Sequence, residues 1–160
     1  MAALNPGTPF PPITLRDETG VPVPAPRGET VYAVFKTTCP TCEFAWPYLD
    51  RIRRIADGRG LSVLAVTQDD PAKTRAFHAR LGTKLETAYD PSPWPASDAL
   101  GVTTVPTIFR VGADGVIAET LVGFDRERMR ELARRAAALA GKAPVELFSS
   151  DENVPAIKPG

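Results

Sequence analysis

The sequence predicts an α/β protein in which a central mixed β-sheet carries helices on both faces. Between residues 30 and 82, apolar β-branched runs alternate with helical patterns, which is typical of parallel strands joined by helical crossovers. Two more strand patterns follow at residues 103–124, separated by the turn GADG, and indicate an antiparallel hairpin. An amphipathic helix pattern then continues to about residue 140.

The first half of the chain supplies the buried strands. Residues 13–23, ITLRDETGVPV, predict an N-terminal hairpin of two short strands around a glycine turn. Residues 30–36, TVYAVFK, are apolar and β-branched or aromatic, as in a buried central strand. From Pro40 onward, apolar residues recur at spacings of three and four, so we predict a helix that ends at the glycines of positions 58 and 60. A second buried strand follows at residues 61–67.

The second half continues the alternation. DDPAKTRAFHARLG predicts a helix with Asp69 or Asp70 as its N-cap. LETAYD predicts a short strand, and the proline-rich PSPWP leads into a short helix at residues 96–100. After the hairpin, the last helix begins from an N-cap at Asp125, with Met129, Leu132 and Ala136 as its buried stripe.

A chain of 160 residues is expected to form one domain. We place a folded domain at residues 1–141 and a C-terminal tail, docked or flexible, at residues 142–160. Val145, Leu147 and Phe148 are the tail residues that would dock on the domain.

Charge and hydropathy exclude several classes of function. Nineteen basic and nineteen acidic residues leave no net charge, so no binding of nucleic acid is expected. No window approaches 18 apolar residues, so no membrane span is expected. The N-terminal MAALNPGTPFPP lacks the features of a signal peptide. We therefore expect a cytoplasmic protein, or a periplasmic one if an export signal precedes this sequence.

The only two cysteines, Cys39 and Cys42, are separated by two residues. Such a pair forms a disulfide staple, a metal clip or a reacting pair. Stapled domains are short and rich in cysteine, and a structural zinc site normally uses four Cys or His ligands. This chain adds a single histidine, His78, in a helix pattern where we expect it on the surface. A bound metal is therefore not expected.

The position of the two cysteines in the predicted fold favours a reacting pair. Cys39 follows the strand at residues 30–36 and precedes the helix that begins near Pro40. Sites in open α/β sheets form beyond the carboxyl ends of strands, and a helix N-terminus stabilises an anion. Cys39 would be the exposed nucleophile and Cys42, one turn further on, the resolving thiol. Lys36 would add positive potential near the sulfurs, which Glu43 would oppose.

VFKTTCPTCEFAWPYLDRI resembles the strand, CxxC motif and first long helix of the thioredoxin superfamily, and Pro47 matches the proline that kinks that helix. TVPTIF resembles the cis-proline segment of the family. The resemblance implies a cis bond between Val105 and Pro106, facing the cysteines and leaving backbone free to pair with a substrate chain. Gly123 in LVGF matches the glycine after the family's last strand. The resemblance covers roughly residues 9–140.

A finer resemblance is to the TlpA/ResA-like branch, which is related to AhpC/TSA proteins. Cys39 and Pro106 are 67 positions apart, about one αβ unit more than in plain thioredoxins, and the N-terminal hairpin also matches this branch. Pro-Thr replaces the Gly-Pro of thioredoxin between the cysteines. Ala33 stands where thioredoxin has a buried Asp as proton acceptor, so another group or water must take the proton. TlpA-like proteins are usually exported, and no export signal is visible in this sequence.

The resemblance implies a thiol-disulfide oxidoreductase that uses its CPTC dithiol to reduce or exchange disulfides. Its partners would be a protein or small-molecule disulfide and an electron donor such as a thioredoxin reductase. Its redox group would be the Cys39–Cys42 disulfide, without a further cofactor. The substrate would contact Val105, Pro106 and Trp94. For Trp94 a second interpretation is equally favoured, in which its side chain anchors the loop.

Two alternatives remain. A peroxiredoxin-like peroxidase would have a threonine where this sequence has Lys36 and an arginine where it has Pro106. A Sco-like copper carrier would have CxxxC and a distal histidine on a loop.

Overall fold

The structure is a computed structural model that describes residues 2–160, and every predicted helix and strand is present in it. The strands are β1 (Leu15–Arg16), β2 (Pro22–Val23), β3 (Glu29–Phe35), β4 (Leu61–Thr67), β5 (Glu86–Tyr89), β6 (Thr107–Val111), β7 (Ile117–Val122), β8 (Phe124–Asp125) and β9 (Ile157–Lys158). The helices are α1 (Pro40–Ala56), α2 (Pro71–Leu81), α3 (Pro95–Ala99) and α4 (Arg126–Leu139).

The main sheet has the order β2-β1-β5-β4-β3-β6-β7. Strand β3 runs parallel to β4, with Phe35 opposite Thr67, and antiparallel to β6, with Val34 opposite Thr107. The predicted N-terminal hairpin, β1 with β2, extends the sheet beyond β5. Because of these pairings, the carboxyl ends of β3 and β4 and the beginning of β6 meet at one edge of the sheet.

The sheet is covered on both faces, as predicted. On one face, Phe35 packs against Trp46 of α1 and Phe77 of α2, with ring centroids 4.3 and 5.2 Å away. The buried stripe of α4 joins the same core. On the other face, Tyr32 stacks on Phe10 at 4.5 Å, and Leu100 after α3 completes a second core. Alternate residues of β3 therefore serve two separate cores.

The tail is docked on the domain in this structure. Leu147 and Phe148 are buried, whereas Val145 is 43% exposed. Further along, β9 pairs antiparallel with β8 and forms a small second sheet. The sequence did not predict β9, because a strand of two residues carries no readable alternation. The division into residues 1–141 and 142–160 stays a prediction.

Two local predictions were wrong. Helix α1 ends at a cap on Asp57, which takes the left-handed conformation with φ 52°, one residue before the predicted glycine. His78 is half-buried rather than on the surface: its ring nitrogens lie 2.7 Å from Oγ1 of Thr83 and 3.1 Å from Oγ1 of Thr87. These threonines lie just before and within β5, which covers the ring. Burial lowers the pKa of His78.

Among residues 2–160, no helix combines the length and the apolar character needed to cross a membrane.

Candidate active site

Cys39 is the N-cap of α1. Its backbone is extended, and its Sγ accepts the N–H of Cys42 at 3.1 Å. Pro40 follows at the first helical position, where its missing N–H leaves no hydrogen bond unmade. A sulfur in this position faces the free N–H groups and the positive end of the helix, an environment that stabilises a thiolate. The predicted location of Cys39 at the edge of the helix is confirmed.

The two sulfurs lie in different environments. Cys39 is partly exposed, whereas Cys42 is fully buried, and both are free thiols in this structure. Burial raises the pKa of the Cys42 thiol, and its hydrogen bond with Cys39 raises it further. One thiol is therefore accessible at the end of the helix dipole, and the other is held in its protonated form behind it.

The Val105–Pro106 peptide bond is cis, as predicted. The thiol of Cys39 donates to the carbonyl oxygen of Val105 at 3.3 Å. Two bonds fix this segment: Gly123 N–H donates to the Pro106 carbonyl at 2.8 Å, and the Thr107 hydroxyl donates to the Thr104 carbonyl at 2.6 Å. The backbone before Pro106 is thus held against the sulfur of Cys39.

The predicted Trp94 lies on the β4 side of the cysteines. Its indole N–H donates to the carbonyl oxygen of Gln68 at 3.0 Å, so it anchors its loop. The residue is 37% exposed, and the ammonium of Lys36 lies 4.9 Å from the centroid of its ring. The two roles proposed for Trp94 are compatible, because an anchored ring also presents a face to solvent.

The charges of Lys36 and Glu43 both have partners. The ammonium of Lys36 lies over Trp94, and the exposed Glu43 forms an ion pair with Arg80 of α2 at 3.6 Å. The guanidinium of Arg80 partly neutralises the negative charge of Glu43, which would otherwise oppose the positive potential of Lys36 near the cysteines. The influence of either residue on the pKa values of the cysteines stays a prediction.

Asp69 is a site residue that the sequence analysis missed in this role. Its Oδ2 accepts the backbone N–H of Thr37 at 2.6 Å and the Thr37 hydroxyl at 2.8 Å. Thr37 lies two residues before Cys39, so this carboxylate fixes the approach to the reactive sulfur. The signal was available, since Asp69 follows β4 and the carboxyl ends of parallel strands meet at one edge. Of the two residues predicted as N-cap of α2, Asp69 and Asp70, the structure uses Asp70.

The tail also reaches the site. Thr41, between the two cysteines, donates its hydroxyl to the carbonyl oxygen of Pro159 at 2.5 Å. Gly160 lies against Thr104 and Val105, the residues before the cis bond. No pattern in the tail sequence pointed to this contact.

The site lacks two groups that related proteins use: a buried carboxylate as proton acceptor and a histidine as metal ligand. Ala33 is fully buried in β3 opposite Ile108, so the thioredoxin proton acceptor has no counterpart at this position. His78 lies in α2, with both ring nitrogens engaged by threonines. In the part of the chain from residue 2 to 160, no group of three or more His, Cys, Asp or Glu side chains is arranged to hold a metal ion.

Comparison with known proteins decides the family. The family model described as Redoxin matches residues 5–139, most of the chain. The chain belongs to the Redoxin family. No curated protein matches this redoxin.

Solved structures share its fold. A Chlorobium tepidum protein described as thiol:disulfide interchange protein DsbE is 22% identical, with a TM-score of 0.73 over 87% of this chain and 100% of that one. A thiol:disulfide interchange protein from Bacteroides sp. is 16% identical, with a TM-score of 0.72 over 88% and 93%. A secreted Mycobacterium tuberculosis disulfide oxidoreductase homologous to E. coli DsbE is 17% identical, with a TM-score of 0.63 over 79% and 96%.

At these identities the likeness to solved structures shows the fold. Together with the family match, it confirms the predicted thioredoxin-like fold and the predicted membership in the thioredoxin superfamily.

Proposed function

We propose that this redoxin is a thiol-disulfide oxidoreductase that reduces or exchanges disulfides through Cys39 and Cys42. The observation that carries the proposal is the asymmetry of the pair at the cis-proline segment. Cys39 is accessible and caps α1, its sulfur is 3.3 Å from the Val105 carbonyl, and Cys42 is fully buried behind it. A structural disulfide would not require one accessible sulfur placed against the backbone carbonyl that precedes a cis-proline.

In the first step, the thiolate of Cys39 attacks one sulfur of a substrate disulfide. The new bond joins Cys39 to that sulfur, and the second sulfur leaves as a thiolate that takes a proton from solvent. The N–H of Cys42, 3.1 Å from the Cys39 sulfur, stabilises the attacking anion. Val105 and Pro106 would supply the backbone and apolar surface against which the substrate lies, with Trp94 as a wall on the β4 side.

In the second step, Cys42 loses its proton and attacks the sulfur of Cys39. The mixed disulfide breaks, the remaining substrate sulfur leaves as a thiolate, and the Cys39–Cys42 disulfide forms. The substrate has then gained two electrons, which the enzyme has lost in forming the Cys39–Cys42 disulfide. Each substrate thiolate takes one proton, the first from solvent and the second from solvent or from Cys42. Because burial raises the pKa of Cys42 and Ala33 offers no carboxylate, we infer that water or the leaving thiolate accepts this proton.

The direction of electron flow depends on the compartment. In the cytoplasm we expect net reduction, with a thioredoxin reductase or a similar donor restoring the dithiol. The likeness to a Mycobacterium tuberculosis protein described as secreted supports an exported location as the alternative. The reduction potential distinguishes the two roles: a value of about −270 mV suits a reductase, and one of about −120 mV suits an oxidant.

The test compares the wild type with Cys39→Ser in two assays, reduction of a protein disulfide and consumption of hydrogen peroxide. We expect disulfide reduction by the wild type, its loss in Cys39→Ser, and slow peroxide turnover in both. Thr38→Ser, a similar change at the exposed neighbouring residue, is the control and should retain activity. Fast Cys39-dependent peroxide turnover without disulfide reduction would establish the peroxidase alternative instead.

A further inference from the structure

Residues 156–160, which we call the strap, connect the end of the tail to the active site. Strand β9 within the strap pairs with β8, and the carbonyl of Ala156 accepts the N–H of Arg126 at 2.9 Å. The carbonyl of Pro159 then accepts the hydroxyl of Thr41. The strap therefore contacts the CPTC motif itself.

The end of the strap lies on the backbone that precedes the cis bond. A methyl group added to Gly160 would overlap the carbonyl oxygen of Val105 and lie 2.6 Å from Cγ2 of Thr104. A methyl group at Gly123 would lie 2.9 Å from the carbonyl oxygen of Lys158. Two glycines thus permit a close approach of the strap to this edge. The Val105 carbonyl that Gly160 covers is the same one that accepts from Cys39.

The strap is held more weakly than the preceding part of the tail. Leu147 and Phe148 are buried, and Glu152 forms two bonds of 2.7 Å to the guanidinium of Arg51. Within the strap, by contrast, Ile157 is 61% exposed, and Pro159 and Gly160 are also exposed. Segments with few buried contacts and exposed backbone hydrogen bonds open at low free-energy cost. The strap can therefore lift while the rest of the tail stays docked.

We propose that the strap selects among substrates by covering the backbone at Val105 that a protein substrate would pair with. This inference rests on the proposed function. A small disulfide reaches the partly exposed sulfur of Cys39 without pairing to Val105, so the strap leaves its reaction unaffected. A polypeptide that pairs with this backbone must first displace the strap, and its reaction is slowed by the fraction of molecules in which the strap is closed.

The experiment measures the rates of Cys39 with a small disulfide, oxidised glutathione, and with a protein disulfide, insulin. Two variants open the strap: deletion of residues 157–160, and Gly160→Ala, which replaces the close approach to Val105 with a clash. We expect both variants to raise the ratio of the insulin rate to the glutathione rate at least fivefold. The matched control Asp151→Ala, at an exposed tail position outside the strap, should leave the ratio unchanged.

An unchanged or lower ratio in both strap variants, with the glutathione rate retained, would overturn the inference and leave the proposed function standing. A cooperative thermal unfolding transition in each variant shows that it is folded. A wild type that reduces neither substrate would instead reject the proposed function, and this inference with it.

Discussion

The sulfur of Cys39 and the carbonyl oxygen of Val105 lie 3.3 Å apart, although 66 positions separate the two residues in the sequence. The antiparallel pairing of β3 with β6 brings them together, because Val34 near the end of β3 is opposite Thr107 at the start of β6. The reactive sulfur is therefore positioned against the backbone before the cis bond, with which a substrate chain can pair once the strap lifts. Such positioning lowers the entropic cost of bringing two reacting groups together.

Asp69 is predicted to be a positioning residue for this sulfur. Asp69→Ala removes the acceptor of both Thr37 bonds and frees the segment before Cys39, so the rate of Cys39 with oxidised glutathione should fall about tenfold. Asp69→Asn keeps an oxygen acceptor and should recover most of the rate. Stopped-flow measurement with each purified variant checks this prediction.

The neighbouring Asp70 provides the matched control. It caps α2 by accepting the N–H of Lys73 at 2.8 Å, away from the Thr37 segment. Asp70→Ala should lower the free energy of unfolding by about 1 kcal/mol and leave the thiol rate unchanged. Equal rate losses in Asp69→Ala and Asp70→Ala would show that general destabilisation, and not positioning, explains the effect.

Phe148 is predicted to make the tail a part of the folded domain. Its ring packs on Tyr48 and Phe124 at centroid distances of 4.8 and 6.1 Å, and the residue is only 5% exposed. Phe148→Ala should lower the free energy of unfolding in urea by about 3 kcal/mol. Val145→Ala, at an exposed position of the same segment, should change it by less than about 0.5 kcal/mol. A loss below about 1 kcal/mol for Phe148→Ala would indicate a tail that contributes little.

The Arg51–Glu152 ion pair is predicted to make tail docking dependent on pH. The guanidinium of Arg51, with help from the N–H of Ser149, lowers the pKa of Glu152 from 4.5 to about 2. A carboxylate with a depressed pKa stabilises the folded state above its unfolded value, and this contribution disappears as pH falls from 4.5 to about 2. Because the pair is partly exposed, its contribution should be at most about 1 kcal/mol.

Thermal unfolding of the wild type and Glu152→Gln at several pH values tests this sign. The wild type should be the more stable protein at pH 7, and the difference should shrink steadily below pH 4.5. Asp151→Asn, one residue earlier and exposed, should show no such convergence. A difference that grows toward low pH would contradict the assignment of the stabilisation to this carboxylate.

The sequence predicted the sheet and the reactive pair because both are encoded by local patterns. The buried run of β3, the N-terminal position of Cys39 in α1 and the hairpin of β6 and β7 each follow from periodicity or from turn and capping residues. The cis bond at Pro106 came instead from a resemblance between motifs, since nothing in the local pattern reports the isomer.

Contacts between distant segments were not predictable in the same way. The bond from Thr41 to Pro159 connects residues 118 positions apart and depends on how the folded elements meet. The bond from Thr37 to Asp69, across 32 positions, could be anticipated only from the meeting of β3 and β4 at their carboxyl ends. The half-buried position of His78 has the same origin, because β5 and its preceding loop cover the C-terminal half of α2. Helical periodicity reports the face of a residue, but it does not report what packs on that face.

The most direct test of the central claim is to trap the intermediate between the two steps. In Cys42→Ser the resolving thiol is missing, so a mixed disulfide formed at Cys39 cannot be released by the enzyme. After this variant reacts with oxidised glutathione, intact-mass and peptide mass spectrometry should find one glutathione on Cys39. In the wild-type protein, Cys42 should resolve this mixed disulfide, so the adduct should not accumulate. Absence of any adduct on Cys39, under conditions in which the wild-type pair becomes oxidised by peroxide, would contradict the account.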